Sequence, residues 1–212
     1  DVSTYLRPDS NVIAAVYSPT YPEINRRQLS ISFYGTDDTG KPFCHYSDNS
    51  WLCRRANSAI NPKGGEIIDR RFHHSTWKAA WFDAALWTSA VDFRGKKALP
   101  LKVFEYGYSA PKIKRVKTYE WFNTDNTGVV QEFYSAFRGY LRLTLRGARR
   151  GERINMGNIQ YTCSGELDEQ VYPLFNISSY STIHINGDKY FKPSQITSLD
   201  AIEIGEEAYF DF

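Results

Sequence analysis

The sequence predicts an all-β protein, specifically an eight-stranded antiparallel jelly-roll sandwich with one or two short helices. Short runs rich in Ile, Val, Tyr and Phe recur through the second half of the chain, separated by Gly, Asn, Pro and Ser, a pattern typical of sandwiches and barrels. Aromatic residues make up 16% of the 212 residues, and large rings favour strands, where they cover a half-buried pleated surface. A chain of this length can bury one substantial core. We therefore expect a single jelly-roll domain over residues 28–212, preceded by an N-terminal arm over residues 1–27.

The first half of the chain offers weaker signals. The arm contains three prolines around a candidate first strand, NVIAAVYS at 11–18. QLSISF at 28–33 alternates apolar and polar residues and leads into the turn-forming run GTDDTGKP, which indicates a strand and its exit loop. TWKAAWFDAALW at 76–87 fits a helix or helical turn, or else extended chain. LPLKVFEYGYS at 99–109 fits a strand with a bulge.

The most informative stretch is VVQEFYSAFRGYLRLTLR at 129–146, where the hydrophobic period changes once. Its first half places apolar groups at i, i+3, i+4 and i+7, which predicts a short amphipathic helix carrying Val130, Phe133, Tyr134 and Phe137. Its second half alternates leucine with arginine and threonine, the period of a strand with one buried face. We expect a helix that caps a sheet edge and runs directly into a core strand.

The near balance of basic and acidic residues limits which classes of partner the protein can bind. With 26 basic and 24 acidic residues, the net charge of +2 is too small for binding nucleic acid mainly by counterion release, so any RNA contact is local. No stretch approaches the ~20 apolar residues of a membrane span. Two basic clusters form either a solvated face or a contact to phosphate or to an acidic neighbour: Lys112, Lys114, Arg115 and Lys117, and then Arg138, Arg142, Arg146, Arg149, Arg150 and Arg153.

Chemistry-bearing motifs are scarce. The chain has no Gly-rich phosphate loop, no Gly-x-Ser-x-Gly elbow and no His-Glu-x-x-His helix. Adjacent histidines at 73 and 74 point to opposite faces of extended chain, which disfavours a shared metal. An acidic cluster near the C-terminus, Glu203, Glu206 and Glu207, fits solvated charges better than acid–base catalysis. We predict no catalytic, metal or cofactor site.

The three cysteines leave at least one unpaired. Cys44 and Cys53 bracket a short polar loop and could close a disulfide in an oxidising compartment, whereas the odd count favours a reducing one. Cys163 lies in QYTCSG and fits a strand residue rather than a nucleophile.

Three groups of residues in the C-terminal two-fifths carry a resemblance to a known family. They are an aromatic Arg-Gly step, an acidic-Val-Pro strand and an apolar strand leading to an acidic pair: Phe133, Tyr134, Phe137, Arg138, Gly139 and Arg142; Glu169, Val171, Tyr172, Pro173 and Phe175; Ile202, Ile204, Gly205, Glu206, Glu207 and Tyr209. In this pattern the chain resembles the capsid proteins of picorna-like viruses, of the dicistrovirus, iflavirus and marine RNA virus type.

The resemblance implies a structural protein without catalytic activity. It would self-assemble with sister capsid subunits into an icosahedral shell enclosing a positive-strand RNA genome, in a virion assembled in the host cytoplasm. Its partners would be the other capsid subunits, the viral RNA through local contacts, and potentially a host receptor. In some family members an acidic pair assists maturation cleavage of a neighbouring capsid chain, which implies that role for Glu206 and Glu207.

Two other classes stay open. A secreted β-sandwich carbohydrate-binding domain, a lectin or adhesin, would stack exposed Trp and Tyr on sugar rings, form a Cys44–Cys53 disulfide and be a stable monomer. A toxin-like enzyme using Glu203 or the acidic cluster would need a concave polar pocket with an arginine and a nucleotide nearby.

Overall fold

The computed structural model describes residues 3–19, 28–92, 112–125 and 128–205. Within these ranges it contains fourteen strands and no helix longer than three residues, so the predicted all-β class is confirmed. The strands are β1 (Ser32–Thr36), β2 (Pro42–Tyr46), β3 (Leu52–Cys53), β4 (Ser58–Ile60), β5 (Glu66–Asp69), β6 (Thr88–Ser89), β7 (Lys112–Tyr119), β8 (Asn123–Asp125), β9 (Gly128–Arg146), β10 (Arg153–Met156), β11 (Ile159–Thr162), β12 (Asp168–Val171), β13 (Ser178–Gly187) and β14 (Ile196–Gly205). Single turns of 3-10 helix cover Ser3–Tyr5, Arg70–Phe72 and Pro193–Gln195.

The chain divides into two compact units. The small unit comprises Asp1–Pro19, Asn25–Ala56 and His74–Lys102 and contains two antiparallel pairs, β1 with β2 and β3 with β6. None of its described residues is buried. Its aromatic rings pair with one another instead, as Phe33 does with Phe43 and Phe82 with Trp87, at 5.4 Å between centroids in each pair.

Three sequence expectations in the small unit need correction. Residues 11–18, the candidate first strand, are exposed except for the half-buried Ser18, and they pair with no described strand. Residues 76–87 form successive tight turns rather than a helix, because their backbone N–H groups bond three residues back, as from Ala79 to Thr76 and from Phe82 to Ala79. The strand expected at 28–33 begins only at Ser32.

The large unit comprises Thr20–Ile24, Asn57–His73 and Val103–Phe212 and is built on one ten-stranded sheet. Its main path runs β4-β5-β11-β10-β13-β9-β14-β7, and β8 and β12 also pair with β9. Every pairing is antiparallel except that of β5 with β11. The sheet therefore differs from the predicted eight antiparallel strands in having ten strands and one parallel pair.

Strand β9 organises this unit. One of its edges pairs with β13 over residues 129–139 and then with β12 over residues 143–146. Its other edge pairs with β8 at residues 128–130 and with β14 over residues 139–145. Because its neighbours change along its length, β9 belongs to two layers of strands, as the sandwich architecture requires.

The helix predicted over residues 129–137 is wrong, because β9 is a single strand of 19 residues. Its buried side chains all fall on odd-numbered positions, and from residue 137 to residue 145 every second residue is buried, the period of a strand. Phe133 and Phe137 nevertheless touch, with ring centroids 5.2 Å apart, whereas an extended strand would separate residues four apart by about 13 Å. A bulge brings them together: residues 133–136 of β9 lie opposite Ser181 alone. The spacing of Phe133 and Phe137, which resembles that of a helical stripe, is thus the result of a bulge.

The core is apolar and closed. Its fully buried side chains come from β9 itself and from strands on both sides of it, including Leu141, Leu143, Leu145, Ile154, Met156, Ile159, Ile185 and Leu199. Tyr161 on β11 donates a 2.8 Å hydrogen bond to Glu169 on β12, two strands that do not pair with each other. This bond ties one set of strands to the other through the core.

The strands expected over residues 154–205 are confirmed as β10 to β14. The strand expected at 99–109 and the boundary expected after residue 27 lie outside the described residues, so the predicted division into an arm and one domain stays a prediction. No helix in the described ranges is long and apolar enough to span a membrane.

Candidate functional site

The large unit carries a groove lined by three aromatic rings, which we call the aromatic groove. Its lining is Tyr140, Tyr172, Pro173, Leu174, Phe175, Asn176, Ile177 and Ile204. It encloses about 340 Å³, within the ~300–1,000 Å³ typical of small-molecule sites. The three aromatic side chains are partly exposed, so each can be reached by a ligand. This lining contains no charged side chain.

A buried carboxylate positions one wall of the aromatic groove. The wall is the loop that follows β12, and Glu66 on β5 accepts hydrogen bonds from the backbone N–H of Leu174 (2.7 Å) and of Phe175 (3.2 Å). Ser58 on β4 donates a third, at 2.8 Å. Glu66 is fully buried, so these charge-assisted bonds replace its hydration. The loop is thereby held to the β4–β5 hairpin.

The same hairpin holds the loop at a second point. Its turn passes through Gly64, which has a φ of +79° that other residues rarely adopt. The Gly64 carbonyl accepts a 3.2 Å hydrogen bond from the side-chain amide of Asn176. Two independent attachments therefore fix the conformation that brings Tyr172 and Phe175 toward one groove.

The floor of the groove lies on β9 and β14. Arg142 follows Tyr140 by two residues and lies on the same face of β9, roughly 7 Å along the strand. Its guanidinium donates to Asp200 Oδ2 through Nε (2.9 Å) and Nη2 (2.5 Å), while Thr118 donates to Oδ1 at 2.8 Å. Asp200 is only 6% exposed. Fixed hydrogen-bonding groups without net charge thus lie beside the aromatic groove.

A second, smaller groove lies at the edge of the sheet, and we call it the polar groove. It encloses about 60 Å³ and is lined by Arg115, Lys117, Tyr119, Tyr134, Ser135, Phe137, Ala201 and Glu203. Glu203 is held by Arg115 (Nε to Oε2, 3.1 Å) and by Lys114 (Nζ to Oε1, 3.4 Å). The Lys117 ammonium lies 5.3 Å from the centroid of the Tyr119 ring. Cationic and aromatic groups therefore share this groove.

The predicted site residues have different outcomes. Glu206 and Glu207 lie outside the described residues, whereas Glu203 lies in the polar groove beside an arginine. All three cysteines are free, so the Cys44–Cys53 disulfide is not formed. Cys163 is fully buried directly after β11, and this burial raises the pKa of its thiol, with the charges of Glu169, Glu152 and Asp188 adding to the rise, which disfavours the thiolate. No group of three metal-ligating side chains occurs among the residues described.

Three buried glutamates were missed by the sequence interpretation. Besides Glu66, Glu169 accepts bonds from Tyr161, Ser164 and the Gly165 N–H, and Glu152 accepts one from the Arg149 N–H. Burial raises the pKa of Tyr161, and its bond to Glu169 adds to the rise. Glutamate in a strand is usually solvated, so alternation alone does not reveal an inward carboxylate that binds a loop.

Comparison with known proteins gives matches in structure only. No protein-family model matches the chain, and no curated protein matches it. Solved structures similar to it include α-L-rhamnosidases from three organisms. That of Streptomyces avermitilis, complexed with L-rhamnose, has a TM-score of 0.67 at 15% identity, over 84% of this chain and 19% of that one.

The other two agree with it. The Dictyoglumus thermophilum enzyme has a TM-score of 0.62 at 16% identity, over 80% of this chain and 21% of that one. The native enzyme of Aspergillus terreus has a TM-score of 0.58 at 18% identity, over 82% of this chain and 22% of that one. The chain thus spans about a fifth of the length of these enzymes.

These matches overturn the capsid interpretation. The function predicted from the resemblance, an icosahedral shell subunit, is wrong, because the three solved structures described above are α-L-rhamnosidases and not capsid proteins. The motif that carried the resemblance includes Phe133 and Phe137, whose spacing reflects the bulge in β9. At identities of 15–18% the similarity shows the fold alone: the chain shares its all-β sandwich architecture with part of these glycoside hydrolases.

Proposed function

We propose that this chain is a carbohydrate-binding β-sandwich module and that the aromatic groove is its sugar-binding site. The observation that carries the proposal is the convergence of Tyr140, Tyr172 and Phe175 on one groove of about 340 Å³. Aromatic rings bury the apolar C–H face of a sugar ring, and a tyrosine also presents a hydroxyl for hydrogen bonding. The aromatic groove has the volume for one sugar unit, and the adjoining units of an oligosaccharide would lie outside it.

The lining favours a neutral sugar with an apolar substituent. Its aliphatic members are Pro173, Leu174, Ile177 and Ile204, and burying a methyl group against such side chains contributes about 0.8 kcal/mol. L-Rhamnose, the sugar in the Streptomyces avermitilis structure, carries a methyl group where most hexoses carry a hydroxymethyl group. Terminal rhamnose is therefore the first ligand to test.

Binding rather than cleavage suits the aromatic groove. Glycoside hydrolysis uses a pair of carboxyl groups on either side of the scissile bond, and the lining of this groove contains no Asp or Glu. As a module similar to a fifth of a longer enzyme, the chain would hold a sugar chain near catalytic residues supplied elsewhere.

The test is a calorimetric titration of the chain with methyl α-L-rhamnoside and with rhamnose-terminated oligosaccharides. We expect saturable binding that Tyr140→Ala and Tyr172→Ala each weaken about tenfold, since each removes a stacking surface worth roughly 1.4 kcal/mol. Tyr34→Ala is the matched control, because Tyr34 is an exposed tyrosine of the small unit. Binding that survives both groove substitutions would contradict the site, and no binding of any neutral sugar would contradict the function.

A further inference from the structure

We propose that the polar groove is a second carbohydrate subsite, which binds the carboxylate of an acidic sugar such as a uronic acid. It is separate from the aromatic groove, since the two share no lining residue. The choice of a sugar as the carrier of the carboxylate rests on the proposed function. The choice of a carboxylate rests on the charges, the volume and the backbone of the groove.

Charge favours an anion. Lys114, Arg115 and Lys117 are all exposed cations of β7, and Glu203 is the one carboxylate in the groove lining. Glu203 forms ion pairs with Lys114 and Arg115 but none with Lys117 among the described residues. An excess of positive charge therefore remains at the groove, and Lys117 is placed to meet an incoming anion.

Backbone irregularity builds the groove from two sides. The pairing of β14 with β7 shifts between Glu203 opposite Arg115 and Ile204 opposite Ile113, which leaves Lys114 as an extra residue. A bulge of this kind turns consecutive side chains toward one face, so both Lys114 and Arg115 reach Glu203. The bulge of residues 133–136 in β9 places Tyr134 and Ser135 on the opposite side. The two bulges thus re-aim side chains of β7 and β9 toward one groove, as bulges beside binding and active sites do.

The volume of the polar groove limits which part of a ligand can enter it. At about 60 Å³ the polar groove is much smaller than the aromatic groove, which favours entry of a small group such as a carboxylate over entry of a whole sugar ring. Tyr134 is completely exposed at the rim, where its ring offers a flat surface for the ring of the same sugar. Below it, Phe133, Phe137 and Tyr119 form a packed aromatic base, with centroids 5.2–5.3 Å apart in successive pairs.

The experiment is a titration of the whole chain with a galacturonate oligosaccharide, the carboxyl-reduced form of the same oligosaccharide, and a glutamate-rich peptide. We expect the galacturonate oligosaccharide to bind, and the reduced form to bind at least fivefold more weakly. Lys117→Gln should weaken galacturonate binding about fivefold and Tyr134→Ala about tenfold, while Lys63→Gln, the same charge change on an exposed loop, should leave it unchanged.

The outcomes separate this proposal from the proposed function. Equal binding of the reduced oligosaccharide, or galacturonate binding unaffected by Lys117→Gln, overturns the carboxylate subsite. Peptide binding as strong as galacturonate binding overturns the choice of a sugar. Methyl α-L-rhamnoside, titrated in parallel, reports on the aromatic groove. If the Lys117→Gln variant binds this rhamnoside with wild-type affinity, the proposed function stands, whatever the result for galacturonate.

Discussion

The two grooves of the large unit are built in opposite ways. The aromatic groove takes its shape from a loop attached to a buried carboxylate, and its lining is uncharged. The polar groove takes its shape from two bulges at the sheet edge, and exposed cations set its charge. The first therefore depends on a remote anchor within the fold, whereas the second depends on ions that solvent and salt screen. Substitutions and salt should act on the two grooves independently.

Removing the anchor should produce the largest effect. Glu66→Ala leaves the N–H groups of Leu174 and Phe175 and the hydroxyl of Ser58 without their acceptor, which should lower the free energy of unfolding by roughly 2–4 kcal/mol. Because the loop is released, rhamnoside binding should be lost while galacturonate binding persists. Urea denaturation followed by calorimetry measures both.

Two variants make this test specific. Glu66→Gln keeps the shape and one acceptor oxygen, so it should retain part of the rhamnoside affinity. Glu166→Ala removes an exposed glutamate and should change neither stability nor binding. Equal loss of binding in both grooves of the Glu66→Ala variant would show that the anchor supports the whole fold rather than one groove.

Removing a ring should have the next largest effect. Tyr140→Ala should weaken rhamnoside binding about tenfold, and Tyr140→Phe should restore most of it because the ring provides the stacking surface. Galacturonate binding should be unchanged in both variants. A Tyr140→Phe variant as weak as Tyr140→Ala would assign the affinity to the hydroxyl group instead.

Raising the salt concentration should change the ligand affinities of the two grooves differently, and this effect should be smaller than that of removing a ring. Raising the ionic strength from 0.1 M to 1 M shortens the Debye length from about 10 Å to about 3 Å. Galacturonate affinity should then fall severalfold, whereas rhamnoside affinity should hold or rise slightly. Calorimetry at both ionic strengths checks this, and a parallel fall for the two ligands would contradict the division into a charged and an uncharged groove.

The smallest effect should come from an exposed ion pair outside both grooves. The Arg146 guanidinium bonds Asp168 at 2.7 and 3.1 Å and holds the pKa of that carboxyl below its ordinary value. A lowered folded-state pKa stabilises the protein above the ordinary pKa and loses that contribution as the pH falls through the folded value. Arg146→Ala should therefore return the pKa of Asp168 to its ordinary value in an NMR titration and lower the unfolding midpoint at pH 7 only slightly, because both side chains are exposed and screened by solvent.

The strands after residue 150 could be predicted from sequence because each is short, rich in β-forming residues and bounded by turn residues, and because β10, β11 and β12 alternate buried with less buried positions. The structure of β9 could not, since a bulge that brings Phe133 and Phe137 together imitates the spacing of a helix. The aromatic groove was also beyond the sequence, because Tyr140 and Phe175 are distant in the chain and Glu66, which sets the loop, is more distant still. Only the general expectation of exposed tyrosines in a carbohydrate-binding sandwich pointed toward it.

The central claim is that the aromatic groove binds a neutral sugar. The most direct measurement is a ¹⁵N NMR titration of the whole chain with methyl α-L-rhamnoside, which maps the responding amides. We expect saturable shifts concentrated at Tyr140 and at residues 172–177, with residues 113–119 unmoved. Absence of shifts at saturating sugar, or shifts confined to residues outside the groove, would contradict it.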